Sequence, residues 1–329
     1  MTIREMLEKR ERETLSPYAM LSEESKGREK EISPCDLRTD FQRDRDKIIY
    51  TKAFRRLKHK TQVFIAPLGD HYRTRLTHTL EVGQIARSIS RALCLNEDLT
   101  EAIAMGHDLG HTPFGHAGER ALAELAKKGF RHNEQSLRIV EYLEGGCGIN
   151  LTYEVKDGIL NHVGAAYPIT LEGRVCRLAD KIAYINHDID DACRAGILTE
   201  EALPSECTGV LGHSHGKRID TIVRDCIKES GNDIVLSSEV YEAMIELEKF
   251  MFANVYVDSE AKKEEKKVFG IVEALYEYFM ENHELLENEP GYDKENPEVS
   301  VCDYISGMTD VFCVYKYNEL FVPESWHKR

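Results

Sequence analysis

The chain has 329 residues, of which 42% are hydrophobic, so it is long enough to bury a substantial core in one large domain or two ordinary ones. Its formal net charge of −15 at pH 7 repels polyanions at long range and argues against nucleic acid as a partner. The sequence contains no run of eighteen or more apolar residues, which argues against a membrane-spanning helix and a membrane partner.

Two further features indicate a cytoplasmic protein. The opening stretch, MTIREMLEKRERETLS, is charged and lacks the apolar segment of a secretion signal. The nine cysteines are scattered without a CxxC pair, a pattern typical of buried or reduced thiols. We therefore expect the protein in the cytoplasm.

Residues 1–35 are polar and only weakly periodic. They predict a polar N-terminal arm ahead of a single domain over residues 36–329, with an oligomer contact as one use of the arm. Basic residues are concentrated at 52–60 (KAFRRLKHK) and 71–75 (HYRTR). On an acidic protein such a local patch suits a small, highly charged anion, although a solvated helix face explains the charges equally well.

From about residue 40 onward, apolar residues recur at helical spacing, as in DRDKIIYTKAFRRLKHK and RLTHTLEVGQIARSISRALCL. Asn96 is a candidate N-cap, and the helix over GRVCRLADKIAYINHDIDDACRAG should end near Gly196. Residues 155–173 could hold a helix and a loop, whereas 205–217 and 287–298 are typical of loops. Strand patterns are scarce, so we predict an all-α fold.

The stretch HDLGHTPFGHAGE, residues 107–119, contains three histidines and two carboxylates. Gly110 indicates that the preceding helix ends within it, whereas a zinc peptidase of the H-E-x-x-H type needs both histidines on one unbroken helix. Imidazole and carboxylate together suit a divalent transition metal, and ligands from separate helices meet in a bundle core. A single helical histidine is more often structural. The predicted metal ligands are His78, His107, Asp108 and Asp180.

The helix that contains Asp180 has an unusual polar face. Tyr184, His187, Asp188 and Asp191 follow Asp180 at i+4, i+7, i+8 and i+11, so they stack on one side of the helix. This arrangement favours a functional face, with a solvated surface as the alternative.

The order His78, His107-Asp108, Asp180 resembles that of the HD phosphohydrolase superfamily. More narrowly, the chain is similar to the deoxynucleoside triphosphate triphosphohydrolases, or dGTPase-like proteins, from about residue 14 to 323. The resemblance implies an HD-domain helical bundle with additional C-terminal helices. The matching blocks, in order, are GREKEISPCDLRTDFQRDRDKIIYTKAFRRLKHKTQVF, RLTHTLEVGQIARSISRAL, HDLGHTPFGHAGE, LADKIAYINHDIDDA and DYISGMTD.

The resemblance implies an activity and its partners. Family members hydrolyse a dNTP (dGTP and others) to a deoxynucleoside and inorganic triphosphate, by attack of water at the α-phosphorus. A divalent metal ion is expected as cofactor, with Mn, Mg, Fe, Co, Ni and Zn all open. A homo-oligomer, a hexamer in particular, and a nucleotide activator are further expectations from the family.

The resemblance also assigns site residues. His116 matches a proton-transfer residue oriented by Glu119, and His132 matches another catalytic histidine. Asp188 matches the carboxylate that binds the 3′-hydroxyl, and Gln62 matches a residue near the sugar, where close packing at C2′ would exclude a ribose hydroxyl. Residues that match phosphate contacts are Arg75, His111, Lys181 and Tyr184.

Other interpretations stay open at this point. Related HD proteins act as 5′-nucleotidases or hydrolyse cyclic or hyperphosphorylated guanine nucleotides, and a non-catalytic nucleotide sensor is a further alternative. His213 and His215 favour a structural or surface role, His59 a solvated one, and His162 either approaches the phosphates or caps a helix. Val311 stands where family members commonly have an arginine after GMTD.

Overall fold

The computed structural model describes residues 1–62, 73–256 and 264–323. Within these ranges the regular structure is helical, and β pairing is limited to two isolated bridges, Arg28 with Thr152 and Thr61 with Thr74. The all-α prediction is confirmed. The helices are α1 (Ile3–Thr14), α2 (Asp40–Ile49), α3 (Lys52–Arg56), α4 (Arg75–Ala92), α5 (Glu97–Gly106), α6 (Gly115–Leu125), α7 (His132–Arg138), α8 (Tyr153–Asn161), α9 (Leu171–Arg194), α10 (Ser205–Leu211), α11 (His215–Glu229), α12 (Ser238–Met251), α13 (Glu265–Glu281), α14 (Pro297–Ser306) and α15 (Asp310–Phe321).

The three central helices, α4, α5 and α9, begin at side-chain caps. Asn96 accepts hydrogen bonds from the backbone N–H groups of Asp98 and Leu99 at the start of α5, as the sequence predicts. Thr74 and Thr170 cap α4 and α9 in the same way. Each cap satisfies N–H groups that the first turn leaves without an intrahelical partner, typically worth about 1 kcal/mol.

The larger apolar core lies among α2, α4, α5, α8 and α9 and extends to α12. Its members recur at helical spacing on the inward faces of the central helices, and full burial of each branched side chain contributes roughly 1.5–3 kcal/mol. These helices are therefore fixed against one another. Representative buried residues are Val82, Ile85 and Ile89 on α4, Leu99 and Ile103 on α5, and Val175, Ala179 and Ile182 on α9.

A second apolar core joins α6 to the C-terminal helices α13, α14 and α15. Phe114, Ala121 and Leu122 contribute from the α6 side, opposite Leu275 of α13 and Ile305 of α14. The predicted C-terminal helices are thus present, and they pack directly on the segment that follows residue 107.

The N-terminal residues form a helix that contacts the core. Thr2 and Glu5 make a capping box at the start of α1. The backbone N–H of Ser16 donates to the Cys94 carbonyl at 2.7 Å, and that of Met20 donates to the Glu172 carboxylate at 3.0 Å. The segment is polar as predicted. These hydrogen bonds attach it to the residues that follow α4 and to the first turn of α9.

The prediction of a loop over residues 205–217 is wrong. Helix α10 occupies its first half, and α11 begins at His215. Gly212 has φ 108° and ends α10, and the Ser214 side chain caps α11. The glycine terminates one helix and the serine is the N-cap of the next, so neither indicates a long loop here. The helix-and-loop prediction for 155–173 and the loop before α14 are confirmed.

No helix in the described ranges combines the length and the apolar composition that crossing a membrane requires.

Candidate active site

The central helices bring the four predicted metal-type residues together. His78 lies in the first turns of α4, His107 and Asp108 directly follow α5, and Asp180 is in the middle of α9. The Nε2 atoms of His78 and His107 lie 3.1 and 3.8 Å from the same Asp180 oxygen. They lie 4.0 and 3.5 Å from the carboxylate of Asp108. Ligands about 2.0–2.2 Å from one ion have separations of this size.

His107 carries the clearest indication that the cluster fits an ion. Its Nδ1 lies 2.7 Å from the Ala104 carbonyl, so Nδ1 carries the proton and donates it. Its Nε2 therefore presents a lone pair. That atom is buried and has no hydrogen-bond partner among the described residues. A buried acceptor without a donor is costly, and a metal ion satisfies it.

The two carboxylates are negatively charged despite their surroundings. Burial alone would raise the pKa of Asp108 and of Asp180. The neighbouring His107 and Arg75 outweigh burial at Asp108, and the neighbouring His78 and His107 do so at Asp180, so both pKa values are held well below the usual range. The cluster therefore supplies the anionic oxygens that a divalent cation prefers.

A chain of hydrogen bonds orients the His78 ring through its Nδ1 atom. The Nδ1 atoms of His78 and His187 are 3.3 Å apart, and Nε2 of His187 lies 3.0 Å from the Glu81 carboxylate. Because Glu81 accepts the proton of His187 Nε2, the His187 Nδ1 lone pair accepts from His78 Nδ1–H, and the Nε2 lone pair of His78 points into the cluster. The residue spacing along α9 places His187 on the polar face of this helix without indicating a role, and no sequence pattern points to Glu81.

We expect His187→Phe to weaken metal binding about 10- to 100-fold, because it removes the acceptor that fixes the tautomer of His78 while keeping a ring in place. The measurement is a Mn²⁺ titration of the metal-free protein. His215→Phe is the matched control, since the His215 ring stacks on His187 at 5.9 Å without contacting His78. Equal affinities for the two variants would contradict this role of His187.

The segment after α5 is shaped by glycine and by a left-handed residue. A Cβ on Gly110 would collide with backbone atoms of His132, Gln135 and Ser136, so only glycine allows this approach to α7. Phe114 has φ 63°, and its N–H donates to the Asp310 carboxylate at 2.8 Å. The segment therefore turns sharply and starts α6 immediately beside the metal-type cluster.

Glu119 on α6 joins three histidines. Its carboxylate lies 2.8 Å from Nδ1 of His132, and it also accepts from the backbone N–H of that residue at 2.9 Å. The other oxygen lies 3.5 Å from Nδ1 of His116 and 3.9 Å from Nδ1 of His111. Burial would raise the pKa of Glu119, but the contacts with His116 and His132 hold it well below its usual value. An ionised Glu119 therefore orients His132 most closely, with His116 next.

His162 belongs to the same group of rings. Its Nδ1 lies 2.7 Å from the Ile159 carbonyl at the end of α8, and its Nε2 lies 3.2 Å from Nε2 of His132. Burial, followed by the nearby His107 and His132, lowers the pKa of His162 to about 3. From the sequence, His162 either caps a helix or approaches the phosphates. In the structure it bonds to a carbonyl at the end of α8 and also contacts His132.

Arg75 is the strongest anion-binding feature of the site. It is buried on the first turn of α4, and its Nη1 donates to Asp108 at 2.8 Å. Its Nε and Nη2 are buried without a hydrogen-bond partner in the described parts of the chain. Two guanidinium nitrogens with unused N–H groups, held beside a metal-type cluster, fit a phosphate group.

The remaining predicted substrate residues are distributed around the cluster. His111 is buried and lies 3.2 Å from the Asp108 carboxylate, and the Tyr184 ring centre is 6.2 Å from that of His116. Asp188 and Gln62 are buried. Lys181 is half-buried, and its Nζ pairs with Glu248 at 2.8 Å, so a phosphate would have to compete with this ion pair.

Two residues connect the site to the C-terminal helices. The buried Lys60 Nζ donates to the carbonyls of His111 and Ser306, and burial, followed by the charge of Arg56, lowers its pKa to about 7. Asp310 accepts from the N–H groups of Phe114 and Thr61. The DYISGMTD block thus holds the segments around residues 61 and 111. Val311, the departure from the family pattern, is 73% exposed and takes no part.

The basic stretches do not form one exposed patch. Lys60 is buried, whereas Lys58 and His59 are exposed, as expected for solvated residues. Arg73 pairs with Glu81, Asp190 and Asp191 at 3.0, 2.7 and 3.0 Å. Residues 71 and 72 of the second stretch lie outside the described residues. Of these cations, Arg75 alone reaches the cluster.

Comparison with known proteins agrees with this geometry. The family model of the HD domain matches residues 75–185, and that of the phosphohydrolase-associated domain matches residues 234–319. A phosphohydrolase from Bacteroides thetaiotaomicron has a similar structure over 85% of this chain and 69% of its own, with a TM-score of 0.50 at 15% sequence identity. The fold and the His/Asp cluster therefore define an HD-domain protein.

Relatives that align over the full length of the chain place it in a narrower family of HD-domain proteins. A deoxyguanosinetriphosphate triphosphohydrolase-like protein from Caldanaerobacter subterraneus subsp. tengcongensis is 57% identical, over 100% of this chain and 98% of its own length. Proteins of the same description from Desulfatibacillum aliphaticivorans and Clostridium perfringens are 50% and 48% identical over 98% of this chain and 99% of theirs. The chain belongs to the deoxyguanosinetriphosphate triphosphohydrolase-like family of HD-domain phosphohydrolases.

Proposed function

We propose that this protein hydrolyses dNTPs to a deoxynucleoside and inorganic triphosphate by attack of water at the α-phosphorus. The observation that carries the proposal is Arg75, whose Nε and Nη2 have no hydrogen-bond partner among the described residues and lie next to the buried His/Asp cluster. A cation binder and an anion binder placed side by side suit a polyphosphate that is held at the atom where it reacts. The names of the full-length relatives support the same substrate class.

The proposal assigns the metal site to His78, His107, Asp108 and Asp180, which supply two neutral imidazoles and two carboxylates. A divalent ion there supplies Lewis acidity at a phosphoryl oxygen and lowers the pKa of a bound water. Mn, Mg, Fe, Co, Ni and Zn all accept this donor set, so the native ion is a question for elemental analysis.

The chain's own residues bind the phosphates and move protons. In the proposal, Arg75 and His111 hold the phosphate oxygens, with Lys181 and Tyr184 completing the contacts. During the reaction the water oxygen bonds to the α-phosphorus, the bond from phosphorus to O5′ breaks, and O5′ takes up a proton. His116 and His132, both oriented by Glu119, are the proton-transfer groups.

The sugar end is assigned to two other residues. Asp188, two turns after Asp180 on α9, is proposed to accept a hydrogen bond from the 3′-hydroxyl. Gln62 is buried, and its side-chain carbonyl oxygen lacks a donor among the described residues. Close packing of Gln62 at C2′ would leave no room for a ribose hydroxyl and so favour deoxyribonucleotides.

The test is product analysis with each dNTP and each ribonucleotide, alone and in mixtures, with Mg²⁺ or Mn²⁺ in water enriched in ¹⁸O. We expect deoxynucleoside and triphosphate, with the label in the triphosphate because the new bond forms at phosphorus. A dNDP with phosphate, a dNMP with pyrophosphate, or no turnover under any condition would overturn the proposal. Products from hyperphosphorylated or cyclic nucleotides alone would favour another HD-type hydrolase, and nucleotide binding without turnover would favour a sensor.

The same purified protein can be used to test two further expectations from the family, a nucleotide activator and a homo-oligomer. A nucleotide activator would appear as hydrolysis in mixtures that exceeds hydrolysis of each dNTP alone. The homo-oligomer, and the hexamer in particular, stays a prediction that light scattering can check.

A further inference from the structure

Lys181, a proposed phosphate contact, is paired with a carboxylate from another helix. Its Nζ lies 2.8 Å from Oε2 of Glu248 on α12, and this is its only ion pair among the described residues. A carboxylate oxygen and a phosphate oxygen are both anionic acceptors for an ammonium group. Glu248 therefore binds the Lys181 ammonium in the way that a phosphate oxygen would.

The place of Lys181 on α9 puts this carboxylate at the edge of the candidate active site. Lys181 directly follows Asp180, a proposed metal ligand, and Tyr184 comes three residues later on a neighbouring part of the helix surface. The Tyr184 ring centre is 6.2 Å from that of His116. Glu248 thus adds a negative charge beside the place where a polyanion would bind, and this charge opposes binding.

The ion pair with Lys181 is not what holds α12 in place. Met244, Leu247 and Met251 of α12 are buried in the larger core. The side chains of Lys181 and Glu248 are 32% and 37% exposed. A pair with this much exposure contributes little to stability, because water screens the charges and two long side chains must be ordered. The pair can therefore open by rotation of its side chains, without movement of the helix.

We propose that Glu248 is a built-in competitor for the phosphate site, which neutralises Lys181 in the nucleotide-free protein and is displaced when a polyphosphate binds. Glu248 acts through Lys181, so it is a positioning residue. The inference rests on the proposed function, which makes Lys181 a phosphate contact. Its consequence is weaker binding of both the substrate and the triphosphate product, and weaker binding of the product favours its release.

The experiment measures binding of inorganic triphosphate to the full-length protein by isothermal titration calorimetry, with Mn²⁺ at one fixed concentration. Glu248→Gln removes the charge and keeps the size of the side chain. We expect it to lower the dissociation constant about threefold to tenfold, and Glu248→Ala to do the same. With the preferred dNTP, KM should fall by a similar factor and kcat should stay within about twofold. Circular dichroism checks that the variants are folded.

Two further variants determine whether Lys181 transmits the effect. Glu246→Gln makes the same charge change on α12, at an exposed carboxylate that pairs with Lys249 at 3.2 Å, and it should bind triphosphate like the unaltered protein. In a Lys181→Ala background, Glu248→Gln should change the dissociation constant by less than about twofold. An equal effect of Glu246→Gln, or a full effect in the Lys181→Ala background, would overturn the proposal.

Triphosphate binding does not depend on catalysis, so this proposal and the proposed function can fail separately. Tighter binding by Glu248→Gln without any hydrolysis of dNTPs would support the role of Glu248 and overturn the proposed function. Hydrolysis of dNTPs to triphosphate, with the same triphosphate affinity in Glu248→Gln and the unaltered protein, would do the reverse. Absence of triphosphate binding from both proteins would also overturn the role of Glu248.

Discussion

His107→Ala should abolish turnover and remove one metal ion per chain. His107 presents a buried Nε2 lone pair to the cluster, fixed by its Nδ1 hydrogen bond to the end of α5. Alanine deletes this ligand and leaves an incomplete set of donor atoms around the ion. Because metal-ion catalysis contributes several kcal/mol, we expect kcat to fall by at least about 10³-fold.

The measurements for His107→Ala are kcat on the preferred dNTP and elemental analysis of the same preparation. His59→Ala is the control, because His59 is exposed in the basic stretch 52–60, and it should behave like the unaltered protein. The inactive variant also reveals any contaminating phosphatase. Full ion content in His107→Ala, with activity lost, would show that His107 is not a ligand.

His116→Ala should separate chemistry from metal binding. The His116 side chain is 48% exposed and lies 3.5 Å from Glu119, and it is not one of the four residues assigned to the metal. Removal of a proton-transfer group of this kind typically slows turnover about 10²- to 10⁴-fold. The ion content should stay unchanged, and because the side chain is half exposed, stability should change by less than about 1 kcal/mol.

Glu124→Ala is the matched control for His116→Ala. Glu124 is exposed on the same helix, α6, and its truncation should leave kcat within about twofold. The comparison uses kcat at saturating dNTP, so that weaker substrate binding is not mistaken for slower chemistry. Loss of metal from His116→Ala, or a kcat close to that of Glu124→Ala, would remove His116 from the proton-transfer role.

The parts of this protein that sequence predicts well are those with local causes. The Asn96 cap, the end of α5 before Gly110 and the helical spacing of α4 and α9 depend on residues within a few positions of one another. The four metal-type residues were predicted from their donor chemistry on separate helices, and their order also matches a family. Their convergence in the structure follows from the helix packing that the same spacing predicts.

The parts that sequence misses depend on contacts between distant elements. His187 meets His78 from a helix more than a hundred residues away, and His162 meets His132 across the turn from α7 to α8. Nothing in the local sequence specifies which ring nitrogen faces which neighbour. The loop predicted over 205–217 failed for a different reason, since Gly212 and Ser214 end one helix and start another within a few residues.

The hydrogen bonds of Lys60 and Asp310 limit which parts of the protein can be exchanged during evolution. The segments around residues 61 and 111 are held by a carbonyl of α14 and a carboxylate of α15, so the HD region does not carry its reaction centre alone. A recombination event that exchanged the C-terminal helices would also have to bring an acceptor for Lys60 and a carboxylate at position 310. The two regions are therefore expected to be inherited together, as one unit of descent.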